Sequence, residues 1–201
     1  MTKIKIIDLY AGIGGIRLGF QNAFKEDAEF VFSNEIDKNS SDTYRLNFND
    51  DPLGDITKIN PSKIKDFDIL LAGFPCQAFS IAGKRQGLED TRGTHFFNIA
   101  KIIDVKQPTA FLLENVRHFK THDGGRTFET LKKILTKDLN YTLYTGLLNA
   151  KDFGLPQKRE RFFMVGFKDP IHFEFPKPLK NTKTVGDILE KNVSGEYFIS
   201  Q

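Results

Sequence analysis

The strongest constraint on the fold is a predicted strand, glycine-rich turn and helix near the start of the chain. Residues 4–9 form a β-branched apolar run that predicts a buried strand, residues 10–15 read Tyr-Ala-Gly-Ile-Gly-Gly, and residues 16–24 are patterned as a helix. Glycine lets the backbone turn sharply and approach a ligand closely. This order of elements is typical of α/β proteins that bind an adenosine-type ligand at a helix N-terminus. On its own, the loop is equally consistent with a tight turn and nothing more.

A predicted second strand ends in an acidic residue at a spacing that suits a nucleotide. Residues 30–34 are predicted as this strand, and Glu35 lies 20 residues after Gly15. In nucleotide-binding βαβ units an acidic residue at about this spacing binds the ribose hydroxyls. The alternative is a solvated carboxylate at a strand end. Asp37 is predicted to cap the following helix, residues 38–48.

Arg17 disfavours a dinucleotide as the ligand. The dinucleotide fingerprint has a third small residue at this point of the turn, where the helix packs closely on the strand. Arginine is not small, and the chain offers no matching substrate site. An NAD-dependent oxidoreductase is therefore the least favoured function.

The only cysteine of the chain follows a third predicted strand. Residues 69–72 are an apolar run, and Gly73, Phe74 and Pro75 end it before Cys76. A thiol just beyond the end of a strand lies where open α/β sheets place their chemistry. A lone cysteine is more often an inert buried residue. This one is flanked by glycines and small polar residues rather than by a core pattern, which favours a functional role.

The segment Gly73-Phe-Pro-Cys-Gln-Ala-Phe-Ser80 resembles the nucleophile loop of the bacterial DNA cytosine-5 methyltransferases. Six separate motifs match in family order across residues 4–167, which is most of the chain. The resemblance implies the methyltransferase fold that uses S-adenosylmethionine (SAM), a Rossmann-like α/β fold with a mixed, mostly parallel sheet and helices on both faces. It also implies SAM as cofactor, double-stranded DNA as partner, and methyl transfer to carbon 5 of a flipped-out cytosine through a covalent Cys76 adduct.

The resemblance assigns a SAM site to the first three predicted strand ends and to the nucleophile loop. The glycine loop is expected beside the methionine part, Glu35 at the ribose, and Asp55 at the adenine amino group. Without the resemblance, residues 54–57 predict only a turn into a short strand. The expected cofactor residues are Tyr10, Gly12, Gly14, Gly15, Glu35, Ile36, Asp55, Ile56 and Pro75.

The positions of the histidines do not indicate a further functional site. His95 begins a predicted helix, residues 94–105, at a place where the family often has an apolar residue near the cofactor. We expect a structural role for it in the first helical turn. His118 and His122 have no Cys or further His near them in sequence, so a metal site is not expected.

A carboxylate and two arginines complete the predicted catalytic centre. Residues 109–113 predict a buried strand, and Glu114 at its end would reach the same sheet edge as Cys76. A strand-end glutamate is usually only solvated, but beside a cysteine loop it is a general-acid candidate. Arg159 and Arg161 enter the last of two predicted strands, residues 141–148 and 161–167, and their spacing points both to one side. The resemblance directs Arg161 at the target base and places Arg159 near the catalytic centre.

A long polar stretch follows the cysteine. Residues 79–92 are punctuated by glycine and lack a period, which is typical of functional or mobile loops but also of ordinary solvated ones. The resemblance identifies it as the loop that closes over DNA. The expected DNA-binding residues are Gln77, Ser80, Lys84 and Arg92.

Composition narrows the class of protein without selecting a function. A net charge of +3 permits a nucleic-acid partner but does not argue for one. A single cysteine excludes a disulfide framework within the chain and suits a reducing compartment. No apolar run approaches the roughly 18 residues of a membrane span. We expect a cytoplasmic protein, associated with the bacterial nucleoid when on DNA, with no membrane or metal partner.

The C-terminal part has a different composition. Residues 1–168 are predicted as the SAM-binding catalytic domain, and residues 169–201, which begin proline-rich, as a linker and the start of a target-recognition domain. Within them, residues 184–190 predict one short helix. Family members are longer and carry a small DNA-reading domain and a returning segment. We therefore expect a fragment, one subunit of a split enzyme, or a degenerate product, with target recognition supplied by a second subunit or a C-terminal half.

Two alternatives remain at this point. An RNA cytosine-5 methyltransferase would use the same chemistry on a different substrate. A non-catalytic module that binds nucleotide or DNA would keep the fold without turnover, although the joint presence of Cys76, Glu114 and Arg161 argues against it.

Overall fold

The computed structural model describes residues 2–75, 95–179 and 183–197. Its six strands form one sheet in the order β2-β1-β3-β4-β6-β5. The strands are β1 Ile4–Leu9, β2 Ala28–Asn34, β3 Ile69–Gly73, β4 Ala110–Val116, β5 Thr142–Asn149 and β6 Glu160–Phe167. The α-helices are α1 Gly15–Phe24, α2 Lys38–Phe48, α3 His95–Lys106 and α4 Arg126–Lys133.

Strand direction places the candidate residues at one edge of the sheet. β2, β1, β3 and β4 run parallel, and β6 lies antiparallel between β4 and β5. Long crossover connections allow the parallel pairs, while ten residues connect β5 to β6 as an antiparallel pair. The C-terminal ends of the parallel strands therefore meet the beginning of β6. The mixed, mostly parallel sheet is as the sequence predicts.

Alternate residues of β1 pack against helices on opposite faces of the sheet. Ile7 and Leu9 are fully buried in the main apolar cluster, which also contains buried residues of α3 and α4. Asp8 lies between them and contacts Tyr44 of α2 on the other face. A strand covered on both faces reads as a continuous apolar run, which is why β1 and β3 are detectable from sequence. The expected helices on both faces are confirmed.

Two predicted elements differ in detail from the structure. The stretch after Gly54 is a single 3-10 turn, Ile56–Lys58, rather than a short strand, because the Asp55 side chain caps it by accepting a hydrogen bond from the Thr57 amide. Apolar residues on one face of residues 126–139 also predict a helix, which keeps its buried face but changes geometry. Ordinary α-helix ends at Lys133, and Ile134–Asp138 follows as a π-helical turn.

The segment after β6 packs back onto the sheet. The Tyr144 hydroxyl donates a hydrogen bond to the Ile171 carbonyl at 2.5 Å. The Phe173 ring contacts the rings of Tyr144 and Phe167. In the part predicted as a short helix, only the 3-10 turn Val185–Asp187 forms. The domain boundary at residue 168 stays a prediction.

The helices of the described ranges are short. The longest, α3, has 12 residues, and none of them is long and apolar enough to span a membrane.

Candidate active site

The glycine loop between β1 and α1 is shaped by two left-handed glycines. Gly14 has φ 89° and precedes α1, and a Cβ atom there would clash with the Phe48 ring. Gly12 has φ 55°, and a Cβ atom added to Gly12 or Gly15 would meet nothing within 4 Å. Glycine at position 14 thus serves close packing, whereas positions 12 and 15 border open space.

Glu35 ties this loop to the end of β2. Its Oε2 accepts a hydrogen bond from the Gly12 amide at 2.8 Å, and its Oε1 accepts one from the Asp37 amide at 2.8 Å. Each carboxylate oxygen keeps lone-pair capacity for a further donor. The Glu35 backbone pairs with Pro52 and Gly54 at 2.7 and 2.8 Å, which brings the next loop alongside. The Glu35 carboxylate is therefore held by two backbone amides rather than by solvent alone.

Asp55 lies in the loop next to Glu35, and its carboxylate caps the 3-10 turn Ile56–Lys58. Its Oδ1 accepts hydrogen bonds from the Thr57 amide at 3.0 Å and the Thr57 hydroxyl at 2.7 Å. These bonds hold the pKa of the Asp55 carboxyl below its ordinary value. The Ile36 side chain is exposed, whereas the Ile56 side chain is buried. The ionised Asp55 can still accept a hydrogen bond from an amino group, with exposed apolar surface nearby.

Tyr10 closes the other side of the glycine loop. Its backbone is left-handed, with φ 53°. Its hydroxyl lies 3.1 Å from the His95 carbonyl oxygen and 3.2 Å from His95 Nδ1. Burial raises the pKa of Tyr10 above its ordinary value, and the nearby Asp55 carboxylate adds to this shift. His95, which was predicted to lie in the first turn of this helix, is the first residue of α3, and it contacts the predicted cofactor residue Tyr10.

Asn115 fixes the start of the cysteine loop. Its buried side chain donates a hydrogen bond from Nδ2 to the Phe74 carbonyl oxygen at 3.0 Å. Its Oδ1 accepts one from the Val116 amide at 2.8 Å. The Phe74 ring is buried, while Pro75 is exposed. The chain is thus held two residues before Cys76.

Five of the predicted residues lie outside the described ranges, and their roles stay predictions. They are Cys76, Gln77, Ser80, Lys84 and Arg92.

Glu114 and Arg161 form an ion pair near the ends of β4 and β6. Arg161 Nε lies 2.7 Å from Glu114 Oε1. Both side chains are mostly buried, and burial raises the pKa of the Glu114 carboxyl, while the charges of Arg161 and Arg159 oppose this rise. Glu114 lies within β4 rather than beyond its end. The pKa of the Glu114 carboxyl therefore lies above its ordinary value even though it is paired with Arg161.

The turn between β5 and β6 holds Arg159 close to this pair. The Arg159 amide donates to Asn149 Oδ1 at 3.1 Å, and its carbonyl accepts from the Ala150 amide at 3.0 Å. The influence of Arg159 on the Glu114 pKa places its charge near the carboxyl. Arg117 forms a separate ion pair with Glu160 at 2.6 Å.

Gly73 is where the two parts of the site meet. It pairs with Glu114 across β3 and β4. A Cβ atom added to Gly73 would lie 3.5 Å from Glu114 Oε2 and 3.5 Å from Ile16 Cδ1, a side chain of the first turn of α1. The ion pair and the glycine loop are therefore neighbours, three residues before Cys76 in the chain.

A buried polar cluster lies behind the glycine loop, and sequence reasoning did not identify it. Arg17 Nη1 lies 2.9 Å from the Tyr44 hydroxyl and 2.5 Å from Asp50 Oδ2. The Tyr44 hydroxyl also lies 3.2 Å from Asp8 Oδ2. Asp8 is 1% exposed, and burial raises the pKa of its carboxyl to about 7. An aspartate inside the apolar run of residues 4–9 was the available signal.

The described residues contain no cluster of three or more His, Cys, Asp or Glu that could hold a metal ion. His122 Nδ1 lies 2.8 Å from the Thr127 hydroxyl, which is a structural contact near the start of α4.

Comparison with known proteins gives one consistent result. The sequence model of the C-5 cytosine-specific DNA methylase family matches residues 4–201. The Type II methyltransferase M.NgoBI of Neisseria gonorrhoeae is 57% identical over 98% of this chain and 61% of its own length. The Type II methyltransferase M.HaeII of Haemophilus aegyptius is 56% identical over 100% of this chain and 62% of its own length. The chain thus spans about three fifths of the length of these curated relatives.

Solved structures agree on the fold. The DNMT2 of Spodoptera frugiperda superposes with a TM-score of 0.72 at 26% identity, covering 96% of this chain and 61% of that one. The methyltransferase EhMeth of Entamoeba histolytica superposes with a TM-score of 0.78 at 21% identity, covering 100% of this chain and 64% of that one.

Proposed function

The chain belongs to the C-5 cytosine-specific DNA methylase family, and from this membership we propose that it is the cofactor-binding and catalytic portion of a DNA (cytosine-5-)-methyltransferase. The observation that carries the proposal is the Glu114–Arg161 ion pair beside Gly73. The ion pair places an acid and a cation beside the glycine loop. Its neighbour Gly73 lies three residues before the only cysteine of the chain. The acid, the cation and the cysteine are each groups that methylation of a cytosine ring requires.

The glycine loop and the two loops beside it suit SAM. Open space borders Gly12 and Gly15, both oxygens of Glu35 can accept a further donor, and Asp55 is ionised and partly exposed. Glu35 would hold the ribose hydroxyls, and Asp55 would accept the adenine amino group. Because the Ile56 side chain is buried, we expect its backbone to face the adenine. SAM supplies the methyl group.

Tyr10, Gly14, Ile36 and Pro75 have supporting roles in this proposal. Tyr10 and Pro75 would border the methionine part. The exposed Ile36 side chain would cover one face of the adenine, because an exposed apolar side chain beside a nucleotide site is stabilised by burial under a flat ring. Gly14 keeps the loop close to α2.

Cysteine addition activates the target ring. Carbon 5 of cytosine is a poor nucleophile, so the Cys76 thiolate adds to carbon 6 and forms a C–S bond. The ring electrons displaced by this addition make carbon 5 nucleophilic, so carbon 5 would take the methyl group as its bond to the SAM sulfur breaks, with S-adenosylhomocysteine as the leaving group. A base would then remove the proton from carbon 5, and breakage of the C–S bond would restore the double bond between carbons 5 and 6 and the free thiolate.

Glu114 and Arg161 stabilise the charge that this addition creates. Burial raises the pKa of Glu114, and in its protonated form the carboxyl would donate a hydrogen bond or a proton to the ring nitrogen. Arg161 would hold the ring carbonyl oxygen, and Arg159 adds positive charge to the same region. A mostly buried site strengthens both effects because water does not screen them.

DNA must present the base outside the helix. The atoms that react are inaccessible in a stacked duplex, so the cytosine is flipped into the site. Gln77, Ser80, Lys84 and Arg92 would contact the flipped nucleotide and the surrounding phosphates. The two curated relatives, M.NgoBI and M.HaeII, are bacterial. The reaction would accordingly take place in the cytoplasm on nucleoid DNA.

Selection of the DNA sequence would require polypeptide beyond these residues. The chain spans only 61–62% of the length of its two named relatives. We expect a C-terminal half or a second subunit to supply target recognition, and a low rate of sequence-specific methylation by this chain alone.

Covalent trapping tests the proposal. The chain is incubated with SAM and duplex DNA that carries 5-fluorocytosine in many contexts, because fluorine cannot leave as a proton does and the adduct persists. A protein–DNA adduct detected by mass in the wild type and absent in Cys76→Ser is the expected result. An unmodified duplex is the matched control.

Other outcomes separate the alternatives. Adducts formed with fluorinated RNA but not with DNA would select an RNA methyltransferase. No adduct, together with no effect of SAM on the melting temperature, would contradict the assignment for this chain. A SAM-dependent rise in melting temperature without an adduct would support the cofactor site and require the missing recognition part.

A further inference from the structure

The contact between Tyr10 and His95 links two elements that are 85 residues apart in the chain. Tyr10 directly follows β1 in the glycine loop, and His95 is the first residue of α3. The two rings meet edge to face, with centroids 5.2 Å apart at an interplanar angle of 90°. This arrangement is the favoured one for two aromatic rings.

The two hydrogen bonds together determine that Nδ1 of the His95 ring carries a proton. The Tyr10 hydroxyl has one proton and lies within reach of two His95 atoms, the carbonyl oxygen at 3.1 Å and Nδ1 at 3.2 Å. The carbonyl can only accept, so the hydroxyl donates to it. The ring nitrogen must then donate to the hydroxyl oxygen, which requires the proton on Nδ1.

The Tyr10 backbone needs such a restraint. Its φ of 53° lies in the left-handed region, which a residue with a Cβ atom adopts only at an energetic cost. Such a conformation persists when the surrounding contacts determine it. His95 provides a carbonyl, a ring nitrogen and a ring face to this one side chain, and the Asn98 side chain also forms a hydrogen bond with Tyr10.

We propose that His95 is a positioning residue for SAM, which orients Tyr10 and through it the glycine loop. This inference rests on the proposed function, because it takes Tyr10 as part of the cofactor site. Asp55, the expected adenine ligand, also acts on Tyr10, since its charge raises the Tyr10 pKa. The pair therefore connects both expected ends of the bound cofactor, the methionine side and the adenine side.

Two variants of His95 separate the parts of this contact. His95→Phe keeps a ring for the edge-to-face contact but has no nitrogen. His95→Asn loses the ring but places an amide group at the position of Nδ1, so it can still donate to the Tyr10 hydroxyl. Tyr10→Phe removes the hydroxyl alone. The matched control is His172→Phe, because His172 is exposed and contacts only Glu174 among the described residues.

We expect His95→Phe and Tyr10→Phe each to weaken SAM binding about fivefold by calorimetry, which is the usual effect of losing one hydrogen bond. The double variant should bind SAM no more weakly than Tyr10→Phe alone, because Tyr10→Phe already removes the bond to Nδ1 that His95→Phe removes. His95→Asn should recover most of the affinity, and His172→Phe should change nothing. Melting temperatures of these variants without SAM should stay close to that of the wild type.

A measurement without SAM makes the test independent of the cofactor. Nitrogen-15 spectra of histidine-labelled protein should report the Nδ1–H tautomer of His95 in the wild type and its loss in Tyr10→Phe. Wild-type affinity in His95→Phe, a drop in melting temperature without a change in affinity, or the other tautomer in the wild type would each overturn the inference alone. A wild type that binds no SAM would overturn the proposed cofactor as well, which distinguishes the two failures.

Discussion

Glu35 at the end of β2 and Glu114 near the end of β4 are both carboxylates at the same edge of the sheet, but they are held differently. Glu35 accepts hydrogen bonds from the backbone amides of Gly12 and Asp37. Glu114 is held by an arginine side chain, at 2.7 Å from Arg161 Nε. Backbone donors keep their place when a ligand arrives, whereas a side-chain partner can turn towards it.

This difference suits the two chemical tasks. A cofactor site gains affinity from groups that are fixed before binding, since little ordering remains to be done. A catalytic group must interact more strongly with the transition state than with the ground state. Glu114 and Arg161 form an ion pair with each other in this structure. A bound cytosine ring would replace part of that contact with hydrogen bonds from Glu114 and Arg161 to the ring. A substitution in one half of the site should therefore leave the other half intact.

The largest effect should come from Glu114→Gln. Glutamine keeps the size and one oxygen but cannot transfer a proton or balance the charge of Arg161. We expect the rate of methyl transfer, measured in the complete enzyme, to fall about 1000-fold, with SAM affinity within twofold of the wild type. Radioactive methyl transfer and calorimetry on the same preparation measure both quantities. A parallel loss of SAM binding would mean that the two halves are not separable.

The buried cluster behind the glycine loop should control stability rather than chemistry. Arg17→Met removes a buried guanidinium and leaves Asp50 with its charge partner lost. We expect the free energy of unfolding to fall by about 3 kcal/mol in urea titrations. Arg45→Met is the matched control, because Arg45 forms only exposed ion pairs with Asp42 and Asp51, and its loss should cost less than about 1 kcal/mol. Equal effects of the two substitutions would contradict the assigned role of the cluster.

Asp8 should make stability depend on pH in the direction opposite to most carboxyl groups. Burial raises the Asp8 pKa in the folded chain to about 7, above its ordinary value of 3.8. The folded state therefore binds a proton that the unfolded state has released, so stability falls as pH rises from about 4 to about 7. The Asp8→Asn variant should lack this fall. The difference between the urea midpoints of the two proteins across that range measures it, and parallel curves would contradict the prediction.

How much of this could be read from the sequence depends on whether a signal is local. The strands and helices were predictable because β1 is mainly apolar, because β3 is a continuous apolar run, and because Asp37 caps α2, as its hydrogen bond from the Ser40 amide confirms. Glu114 and Arg161 were predictable as candidates because of the resemblance to a family. Their direct contact required the register in which Val116 of β4 pairs with Arg161 of β6.

The contacts that sequence reasoning missed are non-local. Arg17 was noted only as an argument against a dinucleotide, yet it anchors a cluster formed with residues of α2 and the following loop. His95 was expected to be structural, and nothing in its neighbours predicts a contact with a residue 85 positions away. Asn115 directly follows the candidate Glu114, but its bond to the Phe74 carbonyl depends on the pairing of β3 and β4. Each of these contacts is set by tertiary structure, which periodicity does not encode.

The smallest predicted effect tests the cofactor half by itself. Glu35→Gln keeps one carbonyl oxygen, so only one of the two backbone amides, of Gly12 and Asp37, retains its acceptor. In the proposed cofactor site, the ribose would also lose a charged partner. We expect SAM affinity to fall about tenfold in calorimetry. The rate of methyl transfer at saturating SAM should stay within about twofold of the wild type in the complete enzyme, because Glu114 and Arg161 are untouched. A large loss of that rate at saturation would show that the glycine loop also positions the reacting groups, and that the backbone-held half takes part in catalysis beyond binding.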